Sequence, residues 1–209
     1  APEASQLRRS ADALRHLRKI LLDAFAPQPP PERSRPQNPL NAVLIERRAP
    51  ARRQFRDVAR IERAVEAGCQ RTTARGCHVR TVALEDVPYA DQIQLLRATD
   101  LLVAVEGQAL ANMLYLPEDA AVALLVPPGF DEAAVDYADA AVLLGLGLET
   151  TLLYDAPARA RFGTRESGLM EKGYWSNKTL VVDFESSVVE ATVARALGKS
   201  FGGGFRMRS

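Results

Sequence analysis

The residues of this chain best suited to chemistry are a set of arginines and one glycine-containing corner. Arg47, Arg48, Arg52, Arg53, Arg56, Arg60 and Arg63 crowd one short stretch, whereas residues 98–158 contain no Lys or Arg. Guanidinium groups that follow a short apolar run, here Ala42-Val43-Leu44-Ile45, can bind phosphate through paired N–H···O bonds. A solvated basic loop leading into a helix is the competing reading. The second feature is Glu106-Gly107-Gln108-Ala109-Leu110-Ala111-Asn112, directly after the apolar run 101–105. Gly107 and the small Ala109 permit close backbone approach where a helix begins, and a helix start attracts anions. Glu106 can accept hydrogen bonds from a ribose or sugar hydroxyl. The corner lacks the three spaced glycines of a dinucleotide fingerprint and the Gly-Lys-Ser/Thr of a P-loop, so a tight strand-to-helix turn is the plain alternative.

Other chemistry has less support. Cys69 and Cys77 are too few for a disulfide framework and lack metal-ligand spacing; a local bridge and two free thiols are both open. His16 and His78 lie far apart, so no zinc site is visible. Ser186-Ser187 before a helical stretch reads as an N-cap. The run Asp131, Glu132, Asp136 and Asp139 reads as the wet face of a helix. Tyr174 and Trp175 form either a stacking platform or a packing anchor in a long loop.

These features need a scaffold, and hydrophobic periodicity supplies one. Leu7, Leu14, Leu17, Ile20, Leu21 and Phe25 predict an amphipathic helix over 5–25. Six prolines between Pro27 and Pro39 then predict an extended connector. From residue 41 apolar strands alternate with helices. Strands are expected at 42–45, 79–84, 101–105, 121–126, 149–154 and 179–184. Helices are expected at 55–65, 89–98, 108–115, 135–144 and 187–197, with a long loop at 156–177. Six strands alternating with helices predict an α/β fold, a doubly wound, mostly parallel sheet with right-handed crossovers. In such a sheet ligands bind at the carboxyl ends of the strands. Residues 201–209 read as a frayed tail.

Composition excludes several classes. The 209 residues are 47% hydrophobic and 25% charged, which argues against disorder. With 27 Lys+Arg against 26 Asp+Glu the net charge is +1, which disfavours a nucleic-acid partner. The sequence has no uninterrupted apolar run of membrane-spanning length and no signal peptide. It begins with Ala rather than Met, as a processed product or a fragment would.

The order of segments resembles glycosyltransferase family 61. The run "AVLIERRAPARRQF" is similar to the family's opening strand and Arg-rich turn, with Arg47 and Arg52 on its basic positions. "VALEDVPYADQIQLLRATDLLVAVEG" resembles its Leu-Glu strand end, following helix and next strand. "EGQALANMLYLP" falls where the family usually has His-Gly-Ala-Gly-Leu-x-Asn and a later proline. Gly107, Leu110, Asn112 and Pro117 match, while Glu106 replaces the His and Ala109 the second Gly. Arg56 stands where an Asn usually follows the turn. "DYADAAVLLGLGLETTLLY" and "NKTLVVDFESSVVEATVARAL" are similar to the later helix–strand and closing strand–helix.

The resemblance implies the C-terminal, Rossmann-like half of a GT-B enzyme. Its parts would be a linker helix at 1–26, a connector at 27–40, a nucleotide-sugar-binding domain at 41–200 and a tail at 201–209. It implies an inverting hexosyl- or pentosyltransferase that uses a UDP-sugar, needs no bound metal or other cofactor, and acts on a glycan or protein hydroxyl. The N-terminal half of the parent would be a partner, and the compartment would be the secretory-pathway lumen (Golgi or ER), with a membrane-anchored parent. Arg47, Arg52 and Arg53 would hold phosphate, Gly107, Gln108, Ala109 and Leu110 the diphosphate, and Glu106 and Asn112 the ribose or sugar. Glu106 also supports a second reading, a member that binds the donor or acts as a scaffold without turnover.

Overall fold

Two runs of the chain are apolar at every position, and a strand can be so only where both faces of its sheet are covered. In the computed structural model these runs lie in the middle of a five-stranded parallel sheet. The structure describes residues 2–26, 38–48, 53–127, 131–152, 180–182 and 184–201. The strands are β1 (Leu40–Glu46), β3 (Cys77–Ala83), β4 (Leu101–Val105), β5 (Ala121–Val126) and β6 (Gly147–Leu152). Their order is β3-β1-β4-β5-β6. β4 and β5 are buried throughout, whereas the edge strand β3 exposes His78 and Arg80.

The alternation of side chains sorts the core into two layers. Val43, Ile45, Leu102, Ala104, Val122 and Leu124 face one hydrophobic cluster. That side is covered by α1 (Pro2–Phe25), α3 (Tyr89–Arg97) and α4 (Asp131–Leu144). Ala42, Leu44, Val103, Val105, Ala123 and Leu125 face the other cluster. There α2 (Val58–Thr72) packs against α5 (Ser186–Phe201). The two helices approach closely: a Cβ built on Gly68 would lie 2.8 Å from the Glu190 carbonyl oxygen and from Val193 Cβ. Asp57 caps α2 by accepting the Arg60 amide at 2.9 Å. At the other end of α2, Cys69 is joined to Cys77 at the start of β3. Of the two states left open for these cysteines, the structure has the bridge.

Several expectations need correction. The strand expected near residues 179–184 does not join the main sheet. Leu180–Val182 (β7) instead pairs in parallel with β2 (Arg53–Phe55), a strand the periodicity missed. Three residues are too short to show an alternation, so the main sheet has five strands rather than about six. The helix expected at 108–115 is present with those bounds and takes the 3₁₀ form, Gln108–Tyr115. The apolar face of α1 is divided: Leu14 and Leu21 pack on the core, while Leu17, Ile20 and Phe25 remain exposed. Ser186 and Ser187 fall inside the first turn of α5, whose ladder starts at the carbonyl of Glu185. The expected site for Tyr174 and Trp175 lies outside the described residues, as do most of the proline-rich connector and the tail. Among the described residues no helix is long and apolar enough to cross a membrane.

Candidate functional site

The chain leaves β1 outward to β3, then returns across β1 to β4, so the winding reverses between β1 and β4. At such a reversal the two connections leave on opposite faces and open a crevice at the carboxyl ends of the strands. β1 and β4 are paired in register up to Ile45 and Ala104. The next residues along each strand are Glu46-Arg47-Arg48 and Val105-Glu106-Gly107. Glu46 also pairs with Ala83 of β3, which leads into a 3₁₀ turn, Leu84–Asp86. Three strand ends therefore bring Glu46, Arg47, Arg48, Glu85, Asp86, Glu106 and Gly107 to one end of the sheet.

The arginines of the turn are not equivalent. Arg48 is exposed and fully engaged by carboxylates. Its Nε and Nη2 reach Glu46 Oε1 at 2.7 and 2.5 Å, and its Nη1 reaches Asp86 Oδ2 at 2.7 Å. Its backbone N–H donates to Glu85 Oε1 at 3.1 Å. The bond to Glu46 raises the Arg48 guanidinium above its ordinary pKa, so it stays charged. Arg47 is half-buried and its side chain has no hydrogen bond or ion pair among the described residues. A half-buried guanidinium with no partner among the described residues is suited to an anionic ligand. Arg52 lies outside the described residues. Arg53 opens β2, its backbone beside Leu180, in the small second sheet.

The Glu106–Gly107 corner is built tightly. Glu106 is 3% exposed and its N–H donates to Leu125 O of β5 at 2.9 Å. Gly107 has φ 153° and ψ 176°, a region open essentially to glycine alone. The 3₁₀ ladder begins with Leu110 N–H donating to Gly107 O at 2.9 Å. The backbone N–H groups of Gln108 and Ala109 precede that bond, so the helix itself cannot satisfy them. Leu110 is fully buried and anchors the first turn, and Asn112 is half-buried. Further along, burial and a hydroxyl–hydroxyl bond with Tyr89 push the Tyr115 phenol well above its usual pKa. Tyr89 also packs edge-on against Phe25 of α1.

The structure thus brings Arg47 of the expected set to the same sheet end as Glu106 and Gly107. Reasoning from sequence missed Glu85 and Asp86 as parts of this end. The signal available was their place: the two acids directly follow Leu84 at the end of β3. Among the described residues no group of His, Cys, Asp and Glu forms a metal-binding cluster.

The model of the family Glycosyltransferase 61 matches residues 3–123, more than half of the chain. The chain belongs to glycosyltransferase family 61. The match runs from α1 into β5 and so contains both strand ends of the crevice; the similarities noted beyond residue 123 lie outside it. No curated protein matches the chain.

Proposed function

We propose that this glycosyltransferase chain binds the UDP moiety of a sugar donor at the carboxyl ends of β1 and β4 and that the sugar passes, with inversion, to a hydroxyl of a glycan or protein. The observation that carries the reading is the reversal of winding between β1 and β4, which puts Arg47, whose side chain has no partner among the described residues, at the same end as the glycine corner. In an inverting transfer the acceptor oxygen forms its bond to the anomeric carbon opposite the leaving group. The bond from that carbon to the diphosphate oxygen breaks, its electron pair leaves with UDP, and the acceptor proton passes to a base. Negative charge grows on the diphosphate, and fixed donors aimed at it lower the barrier. Arg47 and the N–H groups of Gln108 and Ala109 fill that role here, without a metal. Arg52, Arg53, Glu106 and Asn112 complete the donor contacts.

In a GT-B arrangement the acceptor and the base come from a second Rossmann-like half, here the N-terminal half of the parent. The Cys69–Cys77 bridge supports an oxidising compartment, in keeping with a secretory-pathway lumen. The test is calorimetric titration with UDP of the unaltered chain, Arg47→Ala and Arg63→Ala, the last being exposed on α2. Loss of one charge-assisted contact is expected to weaken binding at least about tenfold for Arg47→Ala and to leave Arg63→Ala unchanged. Equal losses would mean that the arginines act only as a diffuse positive surface. Buried Glu106, where the family usually has His, favours a second reading in which the donor binds without turnover. UDP binding without sugar transfer, even by the full-length parent, would select it.

A further inference from the structure

The carboxyl end of the sheet holds more acid than a phosphate site should tolerate. Glu46, Glu85 and Asp86 all lie beside the strand end that carries Arg47, and the Glu46 side chain is only 14% exposed. A carboxylate left uncompensated there repels a diphosphate, and less solvent around it means less screening. One group answers all three acids: Arg48 binds Glu46 and Asp86 through its guanidinium and Glu85 through its backbone N–H.

We propose that Arg48 is a positioning residue for the donor site, which holds and neutralises Glu46 and Asp86 and so leaves Arg47 to the phosphates. The proposal rests on the donor reading above. It divides two adjacent arginines by role: Arg47 touches the ligand, and Arg48 acts through the carboxylates and the backbone that carries its neighbour. The Leu-Glu end of β3 gains a purpose as well, because Glu85 fixes the Arg48 amide just where the chain leaves β1. Exposed ion pairs add little to global stability, so the effect belongs in ligand binding rather than in the melting temperature.

The experiment compares the unaltered chain with Arg48→Met, Glu46→Gln and the double variant, using UDP titration, thermal unfolding and amide hydrogen exchange of residues 46–48. Arg48→Met is expected to weaken UDP binding about tenfold, the scale of one uncompensated charge near the ligand. Its melting temperature should stay unchanged while exchange at residues 46–48 quickens. The double variant, which lacks the Glu46 charge, should recover most of the lost affinity. A purely structural role would show no such recovery. Equal UDP affinity in Arg48→Met and the unaltered chain, or no recovery in the double variant, overturns the proposal and leaves the donor reading standing. Failure of the unaltered chain to bind UDP, with exchange still faster in Arg48→Met, overturns the donor reading and this proposal's link to it, while the carboxylate clasp stands as a local device.

Discussion

At the scale of single residues, Gly107 is the least replaceable part of the candidate site. Its backbone angles belong to glycine, it is buried, and its carbonyl starts the 3₁₀ ladder. Gly107→Ala is expected to cost about 1–3 kcal/mol in unfolding free energy, from backbone strain alone, and a urea titration reads this directly. The sequence showed Gly107 as a corner between an apolar run and a helix, and this was legible because glycine after a strand has few other uses. The unequal roles of Arg47 and Arg48 were not legible. Neighbouring residues of the same type differ here through Glu46, two residues before Arg48, and through acids of the turn after β3, 37 and 38 residues away from it. Arg60 gives the same lesson: it reads as one more surface arginine, yet its Nη2 donates to Phe184 O at 2.8 Å and ties α2 to the stretch before α5.

At the scale of elements, the long periodic runs were legible and the short ones were not. β4 and β5 announce themselves because burial on both faces demands continuous apolar sequence. β2 and β7, three residues each, depend wholly on finding one another. The 3₁₀ form of Gln108–Tyr115 was hidden because its apolar spacing serves either helix type. The Cys69–Cys77 bridge was equally open from sequence, since eight residues of separation are compatible with pairing and with none. It ties the last turns of α2 to the first residue of β3, at the amino end of the sheet, away from the candidate site. Cys77→Ser is therefore expected to lower unfolding free energy by about 2–3 kcal/mol, the value of closing so short a loop, with UDP affinity unchanged. Chemical denaturation alongside nucleotide titration separates the two effects.

At the scale of the whole molecule, the far edge of the sheet is held by charge. Glu149 of β6 accepts from Arg195 Nε at 2.7 Å and Lys199 Nζ at 2.5 Å, both on α5. Burial alone would push the Glu149 carboxyl up, but the bonds from Lys199 and Arg195 outweigh it and hold it below the usual carboxylate range. A folded-state pKa below the unfolded value contributes stability above the unfolded value and loses it as pH falls through the folded one. Glu149→Gln should therefore be less stable than the parent at pH 7, by about 1 kcal/mol or less at this partly exposed site. Urea midpoints should converge as pH drops below about 4. The small second sheet has a consequence for the timing of assembly. All five strands of the main sheet have been made once the growing chain reaches Leu152, but β2 meets its partner only with Leu180. The arginine-bearing stretch between β1 and β2 is thus tethered at its near end early in synthesis and at its far end almost thirty residues after the last main strand. A nascent chain halted between those points would hold all five main strands while β2 still lacked its pairing strand.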